Sequence, residues 1–307
     1  MATPTILVPL DSSPSAESAL PWAVHLARLS NASLRLVEVH SPPVVMMGGE
    51  SLSSAVIPDD AIRDTETAYL AQVQSRLKNA RVTVTAELLD GGVVSSLMDY
   101  ASTLQPSWVV MLSHGRGAIA RFFLGETAHE FVRKSTSPVL LVRESDEALD
   151  LLTPPFVTRI LVPLDGSELA ERMIGPATAF AKLVGADIEL LMALDAVPDM
   201  EAISRRHEAG LPGPWDPAAA PAKAELYLHH QADRIRAQSI KARCIVVPHG
   251  EAADAIIAEA DSKPGTVIAL ATHGRSGLST MVWGSVASDV IRRAKGPVLV
   301  QRPLVEG

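Results

Sequence analysis

Residues 6–17 read ILVPLDSSPSAE, and residues 160–171 read ILVPLDGSELAE, a displacement of 160 − 6 = 154 positions. Each stretch is a branched aliphatic run that ends in Pro-Leu-Asp and a small polar turn, the pattern of a buried strand feeding a helix. A second pair extends the repeat. SHGRGAIARFFLGETAHEFVRKSTSPVLLV at 113–142 returns as THGRSGLSTMVWGSVASDVIRRAKGPVLV at 272–300, with His114 and His273 separated by 273 − 114 = 159 positions. Self-similarity on this scale means one folding unit present twice, the second copy longer by a few residues. Between the copies, RESDEALDLLTPPFVTR at 143–159 mixes charge with Pro154–Pro155, the composition of a linker. The expected domains are residues 1–145 and 156–307.

Within the first copy, TILVPL, SLRLVEVH, VTVTAELL, WVVML (108–112) and PVLLV (138–142) read as strands. Amphipathic stretches separate them: PSAESALPWAVHLARLS (14–30), a helical pattern near 60–79, another from Val93, and a last one after Gly125. Continuous aliphatic strands alternating with helices predict a parallel sheet covered on both faces, with right-handed crossovers. The fold class is therefore α/β, two tandem doubly wound domains of five strands each. Longer excursions at 41–58 and 196–222 follow the second strand of each copy and read as lids or, more simply, as mobile loops.

Composition removes several function classes. Of 307 residues 47% are hydrophobic and 20% charged, which suits an aliphatic globule rather than a disordered chain. Net charge is −8, divided as 11 − 17 = −6 over residues 1–150 and 16 − 18 = −2 over 151–307, so neither half has the basic surplus of a nucleic-acid binder. The single Cys244 allows no internal disulfide, the opening MATPTILVPLD lacks a basic region and long apolar run, and no segment reaches about 20 uninterrupted apolar residues. The expectation is a cytoplasmic protein with no membrane partner.

In doubly wound sheets, ligands sit beyond the carboxyl ends of strands where the strand order reverses. Asp11 and Asp165 follow the first strand of each copy, placed either to accept from ribose hydroxyls or to close an Asx turn. In the second copy TVIALATHGRSG (266–277) ends a strand at the small Ala271 before Gly274. After nine intervening residues, Gly284 and Ser285 open the last helix. The backbone N–H groups of Gly284, Ser285 and Val286, with the hydroxyls of Ser285 and Ser288, can bind phosphate oxygens at the positive end of that helix. A Cβ at Gly274 or Gly284 would push such phosphates away. No GxxxxGK[ST] occurs and no GxGxxG follows the first strand, so neither a Walker loop nor a dinucleotide fingerprint is present. His114 and His273 lie beside the proposed mouth without an adjacent carboxylate or nucleophile and read as structural. His207, His229 and His230 lack metal-ligand spacing, and Cys244 in ARCIVVPHG reads as a buried inert thiol. Trp108 reads as packing; Trp283, next to Gly284, stands where it would close a pocket.

The pattern ILVPLD, the (S/T)HGR segment, the nine-residue interval, Gly284–Ser285 and the closing PVLV resemble the universal stress proteins, as a tandem pair covering nearly the whole chain. The resemblance implies an adenine-nucleotide alpha-hydrolase-like fold and, for the second copy, the ATP-binding branch, whose Gly-x-x-Gly, nine residues, Gly-Ser/Thr pattern it matches except that Ala271 replaces the first glycine. It implies adenine near Ala193 and Val162–Pro163, ribose at Asp165 and Ala271, and phosphates at Gly274, Gly284, Ser285, Val286 and Ser288. Leu270, His273 and Arg275 complete the implied cofactor-binding set. The implied cofactor is ATP, with magnesium as an optional companion. The first copy departs further: Leu112 occupies the first glycine position and Glu126 stands where the phosphate-binding hydroxyl belongs. The leucine crowds the ribose and the carboxylate repels polyphosphate, so weak or no nucleotide is expected there.

Three functions follow: an ATP-binding regulatory module in stress adaptation, a slow ATPase or phosphotransferase, and a nucleotide-free interaction scaffold. The motif region supplies no set of base, metal carboxylate and charge stabiliser beyond Asp165 and Arg275, which favours binding over catalysis. The closing PVLLV and PVLVQ strands belong at sheet edges, and family members pair them between subunits. Pairing of the two copies as an internal pseudo-dimer is expected, with a homodimer of chains as a further option.

Overall fold

The computed structural model describes residues 3–41, 58–113, 125–144, 150–194, 220–248, 250–271 and 284–302. The chain divides into two compact units, Met1–Pro155 and Phe156–Gly307.

In the first unit the elements run β1 (Thr5–Pro9), a 3-10 turn (Ala16–Ala19), α1 (Leu20–Ser30), β2 (Ser33–His40) and α2 (Asp59–Arg76). They continue with β3 (Val84–Asp90), α3 (Val93–Leu104), β4 (Trp108–Leu112), α4 (Glu126–Lys134) and β5 (Val139–Val142). The sheet order is β3-β2-β1-β4-β5, and every pairing is parallel. Ile6 lies beside Leu34 on one side and Trp108 on the other. Consecutive residues Ile6, Leu7 and Val8 are all buried, as are Val109 with Val110 and Leu140 with Leu141. A strand whose successive side chains point to opposite faces buries them all only when both faces are covered, which is why these runs are continuously aliphatic. Each such side chain contributes roughly 1.5–3 kcal/mol relative to exposure.

The stretch 14–30, which reads as one helix, is two. The 3-10 turn gives way to α1 at Leu20, with Pro21 in the first helical turn. Proline lacks the N–H that a longer helix would need there and fits only where that donor is unpaired anyway. Leu20, Ala23, Val24 and Ala27 form the buried stripe of α1.

The second unit repeats the plan: β6 (Arg159–Pro163), α5 (Glu168–Glu171), α6 (Ile174–Val184), β7 (Asp187–Ala193) and α7 (Ala220–Arg236). Then come β8 (Ala242–Val247), α8 (Ala252–Asp261), β9 (Thr266–Ala271), α9 (Ser285–Arg293) and β10 (Val298–Gln301). Its parallel order is β8-β7-β6-β9-β10. At the amino ends of its strands lies a buried ion cluster. The Arg159 guanidinium, 5% exposed, donates to Glu189 at 2.8 Å, Glu259 Oε1 at 2.7 Å and Thr266 Oγ1 at 2.8 Å. Lys263 Nζ adds a 3.2 Å contact to Glu189. The guanidinium stitches β6, β7, β9 and α8 together, and each buried charge has an opposite one to offset its desolvation.

Candidate functional site

Strand order in the second unit reverses between β6 and β9, so their adjacent carboxyl ends form the crevice in which doubly wound folds hold ligands. Those ends are Pro163 and Ala271, and β7 ends beside them at Ala193. All three are partly exposed, and their own side chains are short. Leu270 differs, because its side chain is in the core at 5% exposure, so only its backbone faces the strand end.

Beyond Pro163, the buried Leu164 donates its N–H to Leu191 O at 2.8 Å, which carries the sheet one residue further before the chain turns. Asp165 then closes an Asx turn: its Oδ1 accepts from Ser167 N at 2.9 Å and Ser167 Oγ at 2.6 Å. Ser167 Oγ in turn accepts from Ala170 N at 3.2 Å and caps α5. Gly166 makes the turn with φ +77°, a conformation that costs a residue with a Cβ but not glycine. The carboxylate is thus held in place by its own loop at the head of the crevice. Asp11 repeats the arrangement in the first unit, with Ser13 N at 3.1 Å and Ser13 Oγ at 2.5 Å.

Helix α9 starts from Gly284 in extended backbone (φ −57°, ψ 142°), and its first turn has neither a side-chain cap nor an acidic residue among the described residues. Ala287, Val290 and Ile291 are buried and fix the helix, while Ser285, Val286 and Ser288 are exposed. An uncapped first turn presents N–H groups that an anion can satisfy. Gly125 starts α4 with nearly the same backbone (φ −53°, ψ 138°), and its N–H donates to Ser113 O at 3.0 Å, tying the helix start to the end of β4. Among the described residues, a Cβ built on Gly125 would meet nothing closer than Ser113 O at 3.7 Å.

Sequence reasoning missed a polar cluster at the carboxyl end of β2. His40, 1% exposed, places Nδ1 2.6 Å from Glu66 and Nε2 3.1 Å from Asp59. The Glu66 hydrogen bond leads in raising its pKa above the ordinary imidazole value. Glu38, two residues earlier and 4% exposed, has an Oε2 atom without a hydrogen-bond partner, and burial pushes its carboxyl up to about 7. The hydroxyl of Tyr69 on α2 is buried and likewise unpartnered, whereas Arg76 reaches Glu17 at 2.6 Å. The second unit has Met192 at the position of Glu38, and there Tyr227 donates to Glu171 at 2.9 Å. The available signal was a glutamate between Val37 and Val39 in a strand otherwise read as buried.

His273, Gly274 and Arg275 lie outside the described residues, as do His114, Gly115, His207 and Trp283. Leu112 ends β4 partly exposed, and Glu126 is the first residue of α4. Trp108 is buried in the first core, and His229 and His230 are exposed on α7. Cys244 is a free thiol on β8, half-buried rather than buried, and desolvation raises its pKa. Among the described residues no three His, Cys, Asp or Glu side chains are grouped to hold a metal ion, and no helix is long and apolar enough to cross a membrane.

Both halves match the model of the universal stress protein family, over residues 3–143 and 157–302. Along its length the chain is 28% identical over 302 residues to a universal stress protein of Mycolicibacterium smegmatis, covering 97% of each. It is 27% identical over 305 residues to one of Mycobacterium tuberculosis, covering 97% of this chain and 96% of the relative. A universal stress protein structure from Archaeoglobus fulgidus superposes with a TM-score of 0.68 at 19% identity, covering 98% of this chain and 99% of that one, a likeness of fold alone. With two family matches spanning nearly all of its residues, each on a five-stranded parallel unit, the chain belongs to the universal stress protein family.

Proposed function

We propose that the second domain binds ATP and that the protein acts as a nucleotide-occupied regulatory module in stress adaptation. Adenine would rest against Pro163 and Ala193, ribose against Asp165 and Ala271, and phosphates against the first turn of α9 at Gly284, Ser285, Val286 and Ser288. Leu270 would contribute backbone, and His273, Gly274 and Arg275 the intervening loop. The observation that carries this reading is the start of α9: a glycine followed by an exposed serine, with no side-chain cap among the described residues and no acidic residue in the first turn. The first domain begins the equivalent helix with Glu126, whose charge opposes a polyphosphate, and Leu112 replaces Ala271. It would bind nucleotide weakly or not at all.

Asp165 spends one carboxylate oxygen on its own turn, a role that suits a ribose anchor better than a proton-transferring base. Occupancy rather than turnover would then be the signal, acting through different affinities for two conformations. The test is to denature purified protein and separate the released adenine nucleotide by chromatography, alongside Gly284→Asp with its fold checked by circular dichroism. About one ATP per chain, lost in the variant, supports the reading. Mostly ADP moves it toward hydrolysis. No nucleotide, and no heat on adding ATP with magnesium, overturns it and leaves a scaffold.

A further inference from the structure

The buried His40 at the carboxyl end of β2 presents both ring nitrogens to carboxylates of α2: Nδ1 lies 2.6 Å from Glu66 Oε2 and Nε2 lies 3.1 Å from Asp59 Oδ1. An ionised carboxylate only accepts, so making both bonds at once requires a proton on each nitrogen, the imidazolium form. A neutral ring carries one N–H. Its other nitrogen then turns a lone pair toward a carboxylate oxygen, and that contact becomes repulsive.

The two contacts are unequal. Glu66 makes the shorter one and its side chain is 15% exposed, whereas the Asp59 side chain is 52% exposed and opens α2. The bond to Asp59 is therefore the one that fails. Asp59 belongs to a first turn that follows Pro58 and has no side-chain cap, held by the N–H groups of Ala61 and Ile62 donating to Pro58 O at 3.0 and 3.3 Å. Glu66 lies about two turns further on, so the ring fastens the helix at two separate points.

We propose that His40 is a proton-operated clasp on α2 of the first domain: as imidazolium it pins both Asp59 and Glu66 to the end of β2, and as neutral imidazole it keeps Glu66 and lets the first turn go. The groups around the ring are mostly acidic. Asp90 is its register partner on β3 and is paired with Arg63 of α2. Glu38 stands two residues back along β2, and Asp11 lies on the turn after β1. Asp60 and Asp64 on α2 and Asp99 on α3 are exposed, while Tyr100 of α3 donates to Glu87 of β3 at 2.8 Å. The imidazolium offsets Asp59 and Glu66, and the Glu66 bond leads in raising its pKa above the ordinary 6.5. The second domain lacks the clasp: the register that pairs Ile6 with Leu34 and Ile160 with Ile188 puts Leu194 at the position of His40.

The test follows the His40 ring nitrogens by nitrogen-15 NMR and the hydrogen-exchange protection of α2 amides in the full chain between pH 5 and 9. Both nitrogens should carry protons at pH 6, with a midpoint above 6.5. As the ring becomes neutral, protection of the Ala61 and Ile62 amides should fall about tenfold, the effect of losing one charge-assisted hydrogen bond, while that of Val73 holds. Asp59→Asn should abolish the step although His40 still titrates, because a side-chain amide can donate to the neutral ring as well as accept from the charged one. His40→Leu, the residue the second domain uses, should show the low protection at every pH. Should His40→Leu fail to fold, Asp59→Asn, a change at an exposed side chain, decides alone. A ring with a single proton at pH 6 would overturn the proposal. So would first-turn amides that ignore its titration, or a step surviving in either folded variant, which would assign it to Glu38.

Discussion

Each domain buries charge at one end of its own sheet, and the end differs between the two. In the second, Arg159, Glu189 and Glu259 sit at the amino ends of the strands, each matched by an opposite charge. The carboxyl ends there carry Pro163, Ala193 and Ala271. In the first, Thr5 occupies the place of Arg159, and the acidic residues Glu38, Glu66 and Asp59 gather with His40 at the carboxyl end of β2. A doubly wound sheet tolerates buried charge at either end if partners are supplied. With the charge at the amino end, the strand ends of the second domain's crevice carry only Pro163, Ala193 and Ala271 among the described residues, ahead of the Asp165 turn. At the carboxyl end the same investment makes the first domain's crevice acidic. The difference at Ser285 and Glu126 points the same way.

The largest effect should come from breaking the ion cluster. Arg159→Met leaves Glu189 buried with only Lys263 beside it and should cost about 3–5 kcal/mol in denaturant unfolding of the second domain. Arg35, at the position of Glu189 in the first domain, is only partly buried and its Nε has no partner, so Arg35→Met should stay within about 1 kcal/mol. Equal losses would mean that the cluster is not what distinguishes the domains.

Next in size is the pH dependence of the first domain. Glu38 has its ordinary value of 4.5 in the unfolded chain and about 7 when folded. Between those values the folded domain keeps a proton that the unfolded chain has released, so stability falls as pH rises through that window. Glu38→Met should therefore stabilise the first domain by about 1–2 kcal/mol at pH 8, allowing for solvent screening at the strand end, with no gain from this source below pH 4.5. His40 adds a slope of the same sign, because its raised pKa confers stability present below 6.5 and lost as pH rises through the folded value. Thermal unfolding of the wild type and Glu38→Met across pH 4–9 checks both. A gain that does not change with pH would remove Glu38 as the source.

The smallest effect concerns the turn. Gly166→Ala forces a Cβ into φ +77° and should cost the second domain about 1 kcal/mol. Ser12→Gly relieves the same strain at φ +57° and should stabilise the first domain by a few tenths of a kcal/mol in denaturant melts.

The repeat and the aliphatic runs made the strands legible, because a strand buried on both faces must be apolar throughout. The candidate crevice was legible too, since Pro163, Ala193 and Ala271 end such runs. The break before Leu20 was not. A proline fits the first turn of one helix as well as the end of another, and only the backbone decides between them. The Glu38 cluster was hidden for a different reason: Glu66 and Tyr69 stand about thirty residues away on α2, and no local pattern pairs them with β2. Arg159 reads as the last residue of the linker, whereas in the structure it opens β6 and meets Glu259, a hundred residues on. The sequence reading left Asp165 between ribose contact and Asx turn, and the structure shows the turn.

The most direct measurement is calorimetric titration of ATP with magnesium into nucleotide-free protein, comparing wild type with Gly284→Asp and Gly125→Asp, each verified as folded. The expected result is about one site per chain in wild type and in Gly125→Asp, and none in Gly284→Asp. Binding that survives Gly284→Asp and disappears in Gly125→Asp would place the nucleotide in the acidic first domain and contradict the division of labour between the two.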